Sequence, residues 1–351
     1  MKDVKYNTKA FKNMENLRIL EIDEVHLDGK FKHLSSSKVL RCLRWNHCPL
    51  KSINISSSGT FEKLVSLEIE NSNIKEFKAP LKLRSLQDLN LWGSLELKAS
   101  PEIFGNLTSL QSLSLDRTSI YGVLSNLSHL FNLKIIWLNL CKNQEVLQQL
   151  PHTVEEVNLY HCDNLKMIQE FPLNLRSIFL HNCRSLKMLP ILPPNLEQIH
   201  LDCCENLEML PKLPLNLEGI SLSSCKNIKM LTEFPPNLRD IFLGGCEKFE
   251  MLPELPPNLF EIMLDDWKNL KILPELPLNL YEIILSGCRN LKMLPKFPPN
   301  VTKMNFKILG LIEKVSNLSN YTRLCHLHLS GCKKLKDFPN WENLHSIWTM
   351  R

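Results

Sequence analysis

The strongest constraint on this chain is a step that does not vary. Asn174, Asn195, Asn216, Asn237, Asn258, Asn279 and Asn300 stand 21 residues apart, each followed by Leu or Val and preceded two residues earlier by Pro. A second column, Cys162, Cys183, Cys204, Cys225, Cys246 and Cys288, keeps the same register, with Trp267 in the one interrupted place. A sequence that repeats at a fixed interval gives every copy the same local instructions, so the copies must stack as equivalent units.

With Leu175 as position 1, Ile178 is position 4, Leu180 position 6 and Cys183 position 9, and Leu186, Leu189 and Leu192 follow at 12, 15 and 18. Positions 3 to 7 alternate outward and inward, which is the period of a strand. Beyond Cys183 the apolar spacing widens to three, and Pro190 and Pro193 exclude a regular helix of useful length. The pattern predicts a leucine-rich repeat solenoid, a β-rich member of the α/β superhelix class. It would have a curved parallel sheet on the concave side and short 3₁₀ or irregular return limbs on the convex side. One such unit buries too few aliphatic side chains to offset the entropy of ordering its backbone, so stacking must supply the difference. The cysteines are expected to point inward, where a thiol donates weakly to loop carbonyls. The Asn before each Leu is expected to serve the turn entering the strand by bonding its own backbone.

In chain order, residues 1–16 form a polar lead-in with room for one helical turn around Phe11 and Met14. Residues 17–351 read as a single repeat domain. Starts fall at Leu17, Leu40, Leu64, Leu86, Leu110 and Leu133 with steps of 22 to 24, so residues 17–132 are irregular. Residues 133–300 keep the 21-residue step, through Val154, Leu175, Leu196, Leu217, Leu238, Leu259 and Leu280, and Val301 opens an irregular end over 301–351. Leu324 and a partial unit at Leu344 bring the count to 16. The absence of an evident polar cap near Trp348 leads to the expectation of a piece of something longer.

Net charge is +5 with both signs interspersed, which implies neither nucleic acid nor a membrane surface as partner. Twelve cysteines are far too few for a disulfide scaffold, and an inward column fits a reducing compartment. Residues 1–10 carry no apolar run, and no stretch is long enough to span a bilayer, so no signal peptide or membrane segment is expected. The N-x-[ST] sequons at Asn54, Asn106, Asn126, Asn300, Asn317 and Asn320 are accordingly read as chance.

Four segments carry a resemblance: AFKNMENLRILEIDEVHLDG, LRCLRWNHCPLKSI, KLVSLEIENSNIKEF and LHLSGCKKLKDFP. Leu43–Trp45, Pro49–Ile53 and the Cys332 after Ser330–Gly331 are the most specific parts of it. The chain resembles the leucine-rich region of plant TIR-type nucleotide-binding disease resistance proteins, from Phe11 to Trp348. The resemblance implies a cytoplasmic or nuclear protein-recognition module in defence, binding a pathogen effector, a host protein or the receptor's own domains. The signalling domain and nucleotide-binding motor of that family are not represented, since no G-x-x-x-x-G-K-[ST] occurs. The Leu252–Leu259 phrase LPELPPNL also resembles LPX-type repeats of secreted bacterial effectors, which leaves a virulence scaffold as the alternative.

Position 5 supplies Trp137, Asn158, Phe179, His200, Ser221, Phe242, Met263 and Ile284, and apolar groups in an outward column suggest a partner surface. Position 3 adds Asp240, Glu261 and Glu282, with Asp265 at position 7 beside them and Lys303 and Lys307 in the next unit. Stacked like charges repel unless a basic partner neutralises them. Lys187, Lys229, Lys271 and Lys292 read as a solvated outer face. No metal, cofactor or catalysis is expected. Cys204 and Cys225, with His161 and His181 beside the column, form a straight ladder without a C-x-x-C pair. His326 and His328 share a strand with no activated nucleophile placed by any motif.

Overall fold

The computed structural model describes residues 6–336 except 26, 29–32, 35–36, 55–60, 79–82, 98–103, 105–106, 120–126, 250 and 315–320. The expected sixteenth start at Leu344, and the sequons at Asn106, Asn126, Asn317 and Asn320, lie outside these residues. The chain divides into two compact units, Met1–Leu175 and Arg176–Arg351.

In the first unit the parallel strands are Ile19–Ile22, Cys42–Trp45, Ser66–Glu68, Asp88–Asn90, Ser112–Ser114, Ile135–Trp137 and Glu156–Asn158, paired in chain order. In the second they are Ser177–Phe179, Gln198–His200, Gly219–Ser221, Asp240–Phe242, Glu261–Met263, Glu282–Ile284, Lys303–Lys307 and His326–Ser330. Each of these also pairs in parallel with the next. Each of these fifteen strands begins two residues after a predicted repeat start. The register equals the sequence period: Ile178 faces Ile199, and Ile199 faces Ile220.

One repeat shows how the residues dictate this. The Pro-x-Asn-Leu segment is a β-turn in which the Leu196 N–H donates to the Pro193 carbonyl at 3.2 Å, and the same bond recurs at Leu217, Leu238, Leu259 and Leu280. Proline at its second position and Asn at its third suit such a turn. The Asn side chain does not fold onto its own backbone, as expected above, but reaches across to the preceding coil. Asn258 Nδ2 donates to the Pro236 carbonyl and Asn279 Nδ2 to that of Pro257, both at 3.2 Å. Asn300 is likewise tied, to the Leu278 carbonyl. Positions 1, 4, 6, 9 and 12 are fully buried, as in Leu175, Ile178, Leu180, Cys183 and Leu186.

The cysteine thiols donate to the position-6 carbonyl of the coil before. Cys204 Sγ lies 2.8 Å from Leu180 O, Cys225 Sγ 3.0 Å from Leu201 O, and Cys246 Sγ 3.2 Å from Leu222 O. Trp267 fills the same buried place differently, with Nε1 donating to Phe249 O at 2.7 Å and its ring set edge-on to Phe249. Just before the column the backbone turns left-handed, at Asn182, Cys203, Ser224, Gly245, Asp266 and Gly287. That conformation explains the Gly-Cys pairs at 245–246 and 287–288, since glycine adopts it without steric cost.

The lead-in holds one 3₁₀ turn, Thr8–Asn13, capped by Asn7. The return limbs are mostly irregular. In the first unit, however, two pairs of them form small parallel sheets, Ser52–Asn54 with Glu76–Lys78 and Val146–Leu147 with Met167–Ile168. Their inward residues Ile53, Phe77, Leu147 and Ile168 are buried.

Candidate recognition surface on the strand face

Positions 3, 5 and 7 stand on the face of each sheet opposite the core. In the second unit Phe179, His200, Phe242, Met263 and Ile284 are half-buried, whereas Ser221 is buried. Phe242, Met263 and Ile284 are consecutive register partners and form a continuous apolar strip. Phe179 stacks on the His200 ring, centroids 4.9 Å apart and 17° from parallel. Trp137 belongs to the first unit. There it lines a groove of about 700 Å³ with Trp92, Asn139 and the Arg44 ladder, in which one guanidinium bridges Glu21 and Glu68 at 2.7 and 2.9 Å.

The acidic row is in register, Asp240 beside Glu261 beside Glu282, and Lys303 closes it. Lys303 Nζ lies 2.9 Å from Glu282 Oε2. Glu261 has no such partner so close. Burial, then the charges of Glu282 and Asp240, push its carboxyl above the usual range, and Lys303 only partly opposes this. Burial raises Asp240 as well, against Arg239 and with Glu218. Asp265, expected beside this row as a displayed charge, is partly committed to the fold, because its Oδ1 accepts the Ser286 backbone N–H at 3.2 Å.

Three features escaped the sequence reading. Position 2 builds a groove of about 610 Å³ lined by Arg239, Phe260, Tyr281 and Thr302, with Phe260 and Tyr281 stacked at 4.7 Å. The signal was present in the aromatic residue after the Asn-Leu pair in two successive repeats. Met188, Met209, Met230, Met251 and Met293 form an exposed column on the return limbs, and Met188, Met230 and Met293 each follow a lysine. Lastly, His181, His200 and Asp202 converge within 4.8 Å, although the sequence reading set His181 against the cysteines rather than against its register neighbours. The Cys246 and Cys288 thiols are poor ligands and nucleophiles. Burial pushes Cys246 and Cys288 up to about 12, so both are protonated at neutral pH.

No family model matches the chain. Among curated proteins it is similar to the disease resistance protein RML1A of Arabidopsis thaliana, 29% identical over 164 residues that are 45% of this chain and 16% of that protein. It is 34% identical to the disease resistance protein RPP5 of the same plant over 110 residues, 31% of this chain and 7% of that protein. The chain therefore spans less than a fifth of these relatives. Among solved structures, YopM, a leucine-rich effector protein from Yersinia pestis, superposes with a TM-score of 0.52 over 77% of this chain and 78% of that one, at 23% identity. Both units carry the leucine-rich repeat fold. The matching plant proteins bear out the resemblance drawn from the sequence over part of the chain, and the likeness to YopM is one of fold alone. Among the described residues no helix is long and apolar enough to cross a membrane.

Proposed function

We propose that the chain is the non-catalytic recognition module of a plant intracellular immune receptor and binds a protein through its strand face. The partner is a pathogen effector, a host protein or the receptor's own signalling domains. The observation that carries this reading is the strip Phe242, Met263 and Ile284, half-exposed on the sheet and flanked by Asp240 and Glu261, whose charges repel each other. A large apolar strip left partly in water and an acidic row only partly neutralised by Lys303 both lose free energy alone and recover it against a partner with an apolar centre and basic rim. Similarity to disease resistance proteins supplies the biological setting. A cytoplasmic or nuclear location goes with it.

The test is Phe242→Asp combined with Met263→Asp, followed by co-purification from plant tissue and mass spectrometry. The double variant is expected to lose the partners retained by the parent chain while its thermal midpoint moves by only a few degrees. Partners retained by the variant would overturn the reading, and global unfolding would place the strip in the core.

A further inference from the structure

We infer that His181, His200 and Asp202 form a binding site for a divalent transition-metal ion of the zinc class on the strand face of the second unit. One ligand atom from each lies within 4.8 Å of the other two. His181 Nδ1 and Asp202 Oδ2 are 3.0 Å apart. A tetrahedral ion with bonds of about 2.0–2.1 Å needs ligand edges of about 3.3 Å, so this pair already stands near the required separation.

The surroundings fix the donors as a metal site requires. Asp202 Oδ1 is engaged by the Ser221 hydroxyl and, at 2.7 Å, by the Ser223 backbone N–H, while Oδ2 lies against His181 Nδ1. Such outer partners set the orientation of a ligating carboxylate. The His200 ring is held between Phe179 at 4.9 Å and His181 at 5.8 Å. A simple His181–Asp202 ion pair would explain two of the three residues. It gives no role to a second imidazole stacked against the first.

Two imidazoles and one carboxylate are a borderline donor set, suited to Zn²⁺, Co²⁺ and their neighbours rather than to Mg²⁺ or Ca²⁺. Three protein ligands on a partly exposed face leave a fourth position for water.

The experiment titrates Zn²⁺ into the full chain under a phosphine reductant and follows the heat, with Co²⁺ absorption as a second readout. Wild type is expected to bind one equivalent. His200→Gln and Asp202→Asn, which keeps an oxygen for Ser221 and Ser223, are each expected to weaken binding by ~100-fold, in the range that loss of tuned ligation produces. Cys203→Ser, which removes the half-buried thiol next in sequence, is expected to change nothing. Bound Co²⁺ should show d–d bands without the near-ultraviolet charge transfer of a thiolate ligand. The inference is overturned by absence of a one-equivalent site, by binding unchanged in both ligand variants, or by thiolate charge transfer that disappears in Cys203→Ser. The cobalt spectrum of the wild type decides the matter even if a variant fails to fold.

Discussion

Replacing Trp267 with cysteine sets the repeat pattern against the packing. The pattern favours the change, because every other repeat from Cys162 to Cys288 carries cysteine there. The structure opposes it. Trp267 is fully buried, its ring meets Phe249 edge-on at 5.4 Å, and its N–H satisfies the Phe249 carbonyl at 2.7 Å. Phe249 is itself the aromatic exception at position 12, where Leu186, Leu207, Leu270 and Leu291 stand in other repeats. Cysteine would leave a void on the order of 100 Å³, costing about 2.4 kcal/mol at about 24 cal/mol per Å³. Lost transfer free energy of the ring and an unpaired Phe249 carbonyl add about 1–3 kcal/mol. A new thiol bond to the Leu243 carbonyl, by analogy with its neighbours, returns about 0.5 kcal/mol. The net loss is about 3–5 kcal/mol, or a fall in thermal midpoint of ~6–20 °C for a unit of this size. Thermal melts followed by circular dichroism measure it. A midpoint equal to or above that of the parent would show that the column, not the local packing, decides stability at this position.

The acidic row gives a dependence on pH. Asp240 and Glu261 have folded-state pKa values raised above their ordinary ones, so the native state holds more protons than the unfolded chain in the window between the two. Stability contributed by these groups is therefore present below the unfolded pKa and is lost as pH rises through the folded pKa. Glu261→Gln should raise the urea midpoint at pH 7 and flatten that slope, and a lower midpoint would refute the account. Asp265→Leu should cost about 1 kcal/mol by stranding the Ser286 N–H, whereas Asp265→Asn, which keeps an acceptor oxygen, should melt like the parent. Equal melting of all three would show that this carboxylate has no structural part.

The fold was legible because its determinants are periodic. Leu, Ile and Cys at positions 1, 4, 6 and 9 name the buried face directly, and each of the fifteen strands on that face begins where the spacing places it. The role of the turn asparagine was not, since Asn216 binds a carbonyl 22 residues earlier and a local reading sees only its neighbours. The candidate site was legible as a set of outward positions but not as contacts. His181 and Asp202 occupy the same position in successive repeats, and reading each column downward, rather than each repeat along its length, would have put them side by side. Glu282 could be seen to precede Lys303, but only the geometry shows that this lysine pairs with Glu282 and offsets Glu261 only in part.

Position 7 shows why alternation alone misassigns displayed residues. In these coils the position-6 N–H reaches forward to the next strand and the position-8 N–H does the same, as Leu180 does to His200 and Asn182 to Asp202. The position-7 N–H points back instead, and the position-6 carbonyl it faces is already taken by the cysteine thiol of its own repeat, as Cys225 takes Leu201. A side chain at position 7 of the preceding repeat supplies the missing acceptor: Asp116 for Asn139, Asp202 for Ser223 and Asp265 for Ser286. An outward carboxylate there is committed to the backbone through one oxygen and free to act through the other. That division lets Asp202 serve the ladder with Oδ1 while Oδ2 meets the His181 imidazole at 3.0 Å. Asp240, Phe242, Glu261 and Met263, at positions 3 and 5, carry no such duty among the described residues, so sequence change there is expected to leave the coil beneath intact.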